Sequence, residues 1–173
     1  METDRRIILV EDTLTQAMLY QHTLEKGGFS VRLARSGKQA LELIEKEKPV
    51  AILTDINMPE MSGFELARKV KDGDTTSDII VVLLTTTLSA ESIFDCINSG
   101  ADEISLKGLK DQALVELMES SINRRVEVSP APIAVEARVS QSGSTSVSIK
   151  SDSAQNLRLL LSLYDLMRKM QEN

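Results

Sequence analysis

Five side chains able to do chemistry stand directly after apolar runs. Glu11 and Asp12 follow IILV (7–10), Asp55 follows VAILT (50–54), Thr85 follows IIVVLL (79–84), and Lys107 follows EISL (103–106). A single aspartate after a strand is ordinarily a turn or cap residue, and a single lysine is ordinarily solvated. Three carboxylates, a hydroxyl and an ammonium at the ends of four strands are a different case. Clustered carboxylates repel one another, and a hard divalent cation cancels that repulsion. Magnesium accepts one or two carboxylates, a carbonyl oxygen and several waters, with manganese as its substitute, and it then favours phosphate oxygens. In such a setting Asp55 is a candidate nucleophile toward phosphorus. Lys107 and Thr85 are candidates to hold the remaining phosphoryl oxygens by charge and hydrogen bond.

These residues meet only if the strands lie side by side and parallel. Residues 7–10, 50–54 and 79–84 are short, β-branched and without polar alternation, as expected of strands buried on both faces. Residues 30–34 and 103–106 are weaker strand candidates. Amphipathic stretches lie between them. Leu14, Ala17, Met18 and Leu24 mark the predicted inner face of a first helix. Ala40, Leu41 and Ile44 mark a second, ending before Pro49. The capping box Ser62-x-x-Glu65 starts a third that buries Leu66, Ala67 and Val70. A fourth uses Ala90, Ile93, Phe94 and Ile97 and is capped by Gly100; Leu114, Leu117 and Met118 define a fifth. Five strand–helix units imply right-handed crossovers and a doubly wound α/β domain, with ligands outside the carboxyl ends of the strands.

The domain is expected over residues 1–126. A serine-rich stretch with two prolines follows, and 127–153 reads as a linker or as a β-hairpin pairing 133–139 with 145–149. From Ala154 the pattern is helical to residue 173. Leu159, Leu163, Leu166 and Met170 form a heptad seam that predicts a homodimer through this helix, with folding back on the first domain as the alternative.

Composition excludes several classes. The 173 residues are 42% hydrophobic and 27% charged, with only 3% aromatic, so the core must be aliphatic. A net charge of −6 lacks the basic face of a nucleic-acid surface. Cys96 is the single cysteine, so no intrachain disulfide forms. No apolar run approaches the roughly 20 residues of a membrane span, and IILV is too short for a signal peptide's apolar region. The expected location is cytoplasmic, with neither membrane nor nucleic acid as partner. His22 reads as a surface or boundary residue and Cys96 as a packing residue.

The motifs ILVED, LTDINMPEMSGFEL, VVLLT and GADEISLKG resemble those of the receiver domain of bacterial response regulators, the CheY-like family. Thirty residues separate Asp55 from Thr85 and twenty-two separate Thr85 from Lys107, as is usual there. The likeness covers residues 5 to about 125. It implies a flavodoxin-like strand order, 2-1-3-4-5, and a two-component phosphorelay function. Asp55 takes a phosphoryl group from a partner histidine kinase or phosphotransfer protein. Magnesium is bound by Asp12, Asp55 and the Asn57 carbonyl, with Glu11 acting through water. Thr85 and Lys107 follow the phosphate, and Asn57, Thr86 and Thr87 tune the phosphoryl group's lifetime. No enzymatic activity beyond this self-catalysed acceptance is implied. A signalling helix of this kind resembles those leading to histidine kinase or diguanylate cyclase output modules.

Three positions depart from the family pattern. Gly108 stands where proline follows the lysine, Ile104 stands where a switch aromatic is usual, and Thr86 is bulkier than the usual small residue. Ile104 and Gly108 favour, as an alternative, a pseudo-receiver that binds partners without phosphorylation. A haloacid-dehalogenase-like phosphatase is a further alternative, but it needs a second aspartate where this chain has Asn57, and an amide is no general acid or base.

Overall fold

The computed structural model describes residues 5–87, 89–124, 133–139 and 145–151. The chain divides into two compact units, Met1–Asn123 and Arg124–Asn173. In the first, β1 (Arg6–Val10), β2 (Ser30–Ala34), β3 (Ala51–Asp55), β4 (Ile80–Thr85) and β5 (Glu103–Leu106) alternate with α1 (Leu14–Lys26), α2 (Gly37–Lys46), α3 (Gly63–Lys71), α4 (Ala90–Ser99) and α5 (Asp111–Arg124). All neighbouring strand pairs are parallel and the order is β2-β1-β3-β4-β5, as the resemblance implied. In the second unit β6 (Ile133–Val139) and β7 (Thr145–Ser151) pair antiparallel, with Ile133 opposite Ser151 and Val139 opposite Thr145. The turn between them, and the expected helix and dimer seam over 154–173, lie outside the described residues.

The three continuous apolar runs form the middle of the sheet because both faces are covered. Ile7, Leu9, Leu53, Val82 and Leu84 pack with Tyr20 and Leu24 of α1 and with Leu114, Met118 and Ile122 of α5. Across the sheet, Ile8, Ile52, Val81 and Leu83 are buried, as are Ala40 and Ile44 of α2, Leu66, Ala67 and Val70 of α3, and Cys96 of α4. Each fully buried Leu or Ile contributes roughly 2–3 kcal/mol of transfer free energy. Register carries the strand ends to one edge: Val10 pairs with Thr54, Asp55 with Leu84, and Thr85 with Leu106.

Helix starts and stops follow local chemistry. Ser62 accepts from the Glu65 amide while the Glu65 carboxylate accepts from the Ser62 amide, closing the expected capping box of α3. Ser89 and Ser92 do the same for α4, and Gly100, at φ +74°, ends it.

Two helix faces differ from expectation. Leu14 and Met18 are 53% and 60% exposed, and the inner face of α1 is Ala17, Tyr20, Thr23 and Leu24. Apolar residues occur all around this helix, so periodicity alone does not choose a face; small Ala17 lets the helix lie close to the sheet, and Tyr20 fills the space beside it. In α4, Phe94 is 64% exposed, Ile93 and Ile97 are only partly buried, and among the described residues of the helix Cys96 and Ser99 are buried. Leu41 of α2 and Leu117 of α5 are only partly buried.

Candidate functional site

The site lies where the sheet order reverses, at the carboxyl ends of β1 and β3. Glu11 and Asp12 leave β1, Asp55 ends β3, and oxygen atoms of the three carboxylates lie within 4.8 Å of one another. Glu11 and Asp55 are buried; Asp12 is partly exposed. Such a set of hard oxygen donors fits magnesium or manganese.

Lys107, just past β5, reaches back across the edge. Its Nζ is 2.7 Å from Asp55 Oδ2 and 2.9 Å from Glu11 Oε2. Burial alone disfavours the ammonium, but hydrogen bonds to Asp55 and Glu11, together with their charges, more than offset it. The Lys107 pKa therefore lies above its ordinary 10.5. Among the described residues no cation pairs with the Asp12 carboxylate, whose Oδ1 accepts from the Thr13 hydroxyl at 3.3 Å. The cluster thus holds three carboxylates against one ammonium.

The backbone around Asp55 is tightly fixed. Its Oδ1 accepts from the Asn57 amide at 3.1 Å, and its carbonyl oxygen accepts from the Thr54 hydroxyl at 3.0 Å. Gly63 opens α3 directly against it: a Cβ there would lie 2.4 Å from the Asp55 carbonyl oxygen. Only glycine permits that approach.

Thr85 is buried at the end of β4, and its carbonyl accepts from the Lys107 amide at 2.7 Å. Its hydroxyl donates to the Thr87 carbonyl at 2.8 Å and accepts from the Thr87 amide at 3.2 Å. Thr86 and Thr87 are exposed, as is Asn57. Ile104 is buried in β5. Gly108 has φ +84° with open space around it, and the described residues contain no cis peptide bond. His22 is exposed on α1, outside the site, and Cys96 is buried, its thiol pushed up to about 12 by burial and by the charges of Glu103 and Asp102.

Two residues at the site were not flagged by the sequence. Gln16 of α1 accepts from Lys107 Nζ at 3.1 Å. The Arg35 guanidinium, at the end of β2, donates to the Asp12 carbonyl oxygen. A basic residue leaving the one strand without obvious chemistry was the available signal for Arg35; a glutamine on a helix carries none.

Comparison with known proteins gives the same fold. Two-component response regulator ORR3 of Oryza sativa subsp. indica is 31% identical over 110 residues, spanning 63% of this chain and 84% of that protein. The chemotaxis response regulator CheY4 of Vibrio cholerae superposes with a TM-score of 0.65 at 27% identity, covering 69% of this chain and 99% of that one. The signal receiver domain of a signal transduction histidine kinase from Syntrophus aciditrophicus gives 0.66 at 29% identity, covering 73% and 96%. The sequence profile of the response regulator receiver domain matches residues 7–119, almost the whole of the sheet and its five helices. The chain belongs to the response regulator receiver family, and its place is in two-component signalling.

Proposed function

We propose that Asp55 is the phosphoacceptor and takes its phosphoryl group from the phosphohistidine of a partner histidine kinase or phosphotransfer protein. One observation carries this reading: a buried aspartate at a strand end sits 2.7 Å from the Lys107 ammonium inside a three-carboxylate cluster. An Asp55 carboxylate oxygen attacks phosphorus and the phosphorus–nitrogen bond breaks. The electron pair leaves on the imidazole, which picks up a proton, and Asp55 becomes an acyl phosphate.

Asp12 and Asp55 would hold magnesium directly with the Asn57 carbonyl, and Glu11 through water; manganese fits the same donors. The bound ion supplies positive charge to the phosphoryl oxygens. Lys107 holds a further phosphoryl oxygen, and Thr85 hydrogen-bonds another. The Asn57 amide keeps Asp55 Oδ1 oriented. Asn57, Thr86 and Thr87 border the phosphoryl group and set how easily water reaches it.

Phosphorylation adds up to about two negative charges and draws Thr85 and Lys107 toward the phosphate, reorganising the face formed by α4, β5 and α5. With its heptad seam, the segment 154–173 passes that change to an output module of histidine kinase or diguanylate cyclase type, paired with a second copy of the chain. Light scattering on the full chain and on a version cut at 127 tests the pairing, which fails if both are monomeric.

Incubation with acetyl phosphate and magnesium, followed by intact-mass measurement, tests the central claim. Wild type gains the mass of one phosphoryl group and Asp55→Asn gains none. A wild type that gains nothing is instead a phosphorylation-independent interaction module.

A further inference from the structure

The register of the β6–β7 hairpin sorts its residues onto two faces, because successive residues of a strand alternate. Ile133, Val135, Ala137 and Val139 share one face with Val147 and Ile149. Glu136 and Arg138 share the other with Ser146, Ser148 and Lys150. One face is therefore apolar and the other polar. A two-stranded ribbon is marginally stable at best in water, and it gains stability from a helix or further strands against its apolar face.

Arg124–Asn173 is a compact unit of its own, and within it only 154–173 has an apolar pattern of helical period. At about 100° per residue, the heptad seam of Leu159, Leu163, Leu166 and Met170 is one stripe of that helix. Leu157, Leu160, Tyr164 and Met167 form a second, about 110° around it. Together the stripes span about 180°, well beyond the roughly 100° with which a helix covers one surface. Two stripes serve two partners. Leu at three of four seam positions suits a pair of helices, whereas an aromatic such as Tyr164 suits a surface of β-branched residues.

We infer that the stripe of Leu157, Leu160, Tyr164 and Met167 covers the apolar face of the chain's own β6–β7 hairpin, leaving the seam for a second copy. Only Asp152 and Ser153 separate β7 from the helical pattern, which holds the helix start within about 10 Å of the strand's end. Links of this length are usual between a strand and a helix packed on its sheet. The stripe is about 15 Å long and a strand of this hairpin about 23 Å, so the ribbon accommodates it. The packing depends neither on phosphoryl acceptance nor on dimerisation.

Hydrogen-exchange mass spectrometry on the full chain tests it, following peptides over 133–139 and 145–151 with light scattering on the same samples. The proteins are wild type, Leu160→Glu/Tyr164→Glu and, as a control of equal charge on the other stripe, Leu159→Glu/Leu163→Glu. The wild-type hairpin should be protected to the same degree in dilute and concentrated samples, as a contact within one chain requires. Leu160→Glu/Tyr164→Glu should speed exchange in both strands by about tenfold or more, the scale of a local opening, and leave β1–β5 unchanged. Leu159→Glu/Leu163→Glu should leave the hairpin at its wild-type protection. An unprotected wild-type hairpin overturns the inference, as does a hairpin that Leu160→Glu/Tyr164→Glu leaves protected or that both variants expose equally. Protection that falls on dilution also overturns it, since the covering helix is then a second copy's. A monomeric wild type whose hairpin opens only in Leu160→Glu/Tyr164→Glu removes the dimer reading and upholds this packing.

Discussion

The Thr85 hydroxyl is bonded twice to the same neighbour, donating to the Thr87 carbonyl and accepting from the Thr87 amide. Its single proton is thus committed before any phosphate arrives, and donating to a phosphoryl oxygen requires breaking the bond to the Thr87 carbonyl. Adding beryllofluoride and magnesium should therefore shift the Thr87 amide resonance in an NMR spectrum. In Thr85→Val the ligand should still bind, since Asp12, Asp55 and Lys107 are intact, while the Thr87 shift shrinks. Equal shifts in the two proteins would show that the hydroxyl takes no part.

Neutralising Asp12 should stabilise the metal-free protein. Lys107 pairs with Glu11 and Asp55 but not with Asp12, so Asp12 carries the uncompensated charge. Asp12→Asn is expected to add about 1 kcal/mol without metal, or about 3 °C in melting temperature. Magnesium should raise the wild-type melting temperature by linkage and should no longer do so in the variant. A variant that binds magnesium as well as wild type would place the ion elsewhere.

Cys96 sets part of the alkaline limit. In the unfolded chain its thiol ionises near 9.0, whereas the folded value is pushed up to about 12. Below pH 9 both states hold the proton and its contribution to stability is fully present. Between pH 9 and 12 the unfolded state loses the proton first, so stability falls by about 1.4 kcal/mol per pH unit. Cys96→Ala should flatten urea-denaturation stability across that window. Parallel curves for the two proteins would sink this account.

Gly108 is not a stand-in for the family's proline. Its φ of +84° lies where proline's ring cannot follow, and the surrounding space is open, so backbone preference decides the cost. Gly108→Ala should lose about 1 kcal/mol in urea denaturation, and Gly108→Pro should lose more despite its likeness to the family pattern. A proline variant as stable as wild type would contradict this geometry.

The sheet and its edge were legible because their signals are local and redundant. Ile52-Leu53-Thr54-Asp55 passes from apolar to charged within one step, and the Ser62–Glu65 box marks the next helix without outside help. The direction of α1 was not legible, because Leu14, Met18 and Leu19 are as apolar as the residues that face inward. Gln16 was not legible either: its partner lies 91 residues away, and nothing in an isolated glutamine announces a distant ammonium. The same holds for Lys71 and Asp102, which pair at 2.6 Å while Asp102 also accepts from the Val81 amide. That pair ties the end of α3 to the loop before β5 and to β4, and it becomes visible only when the strands are laid side by side.

The missing side chain of Gly63 has a mechanical consequence. Toward α3, the peptide of Asp55 is wedged: the helix start presses on its carbonyl oxygen, and the Thr54 hydroxyl pins the same atom. Toward β4, the neighbouring residues Thr86 and Thr87 are exposed, and Thr87 is tied to the site through the Thr85 hydroxyl. Any side chain at position 63 would have to push the Asp55 peptide away from α3, so the place of the Asp55 carboxylate depends on where a methyl group is absent.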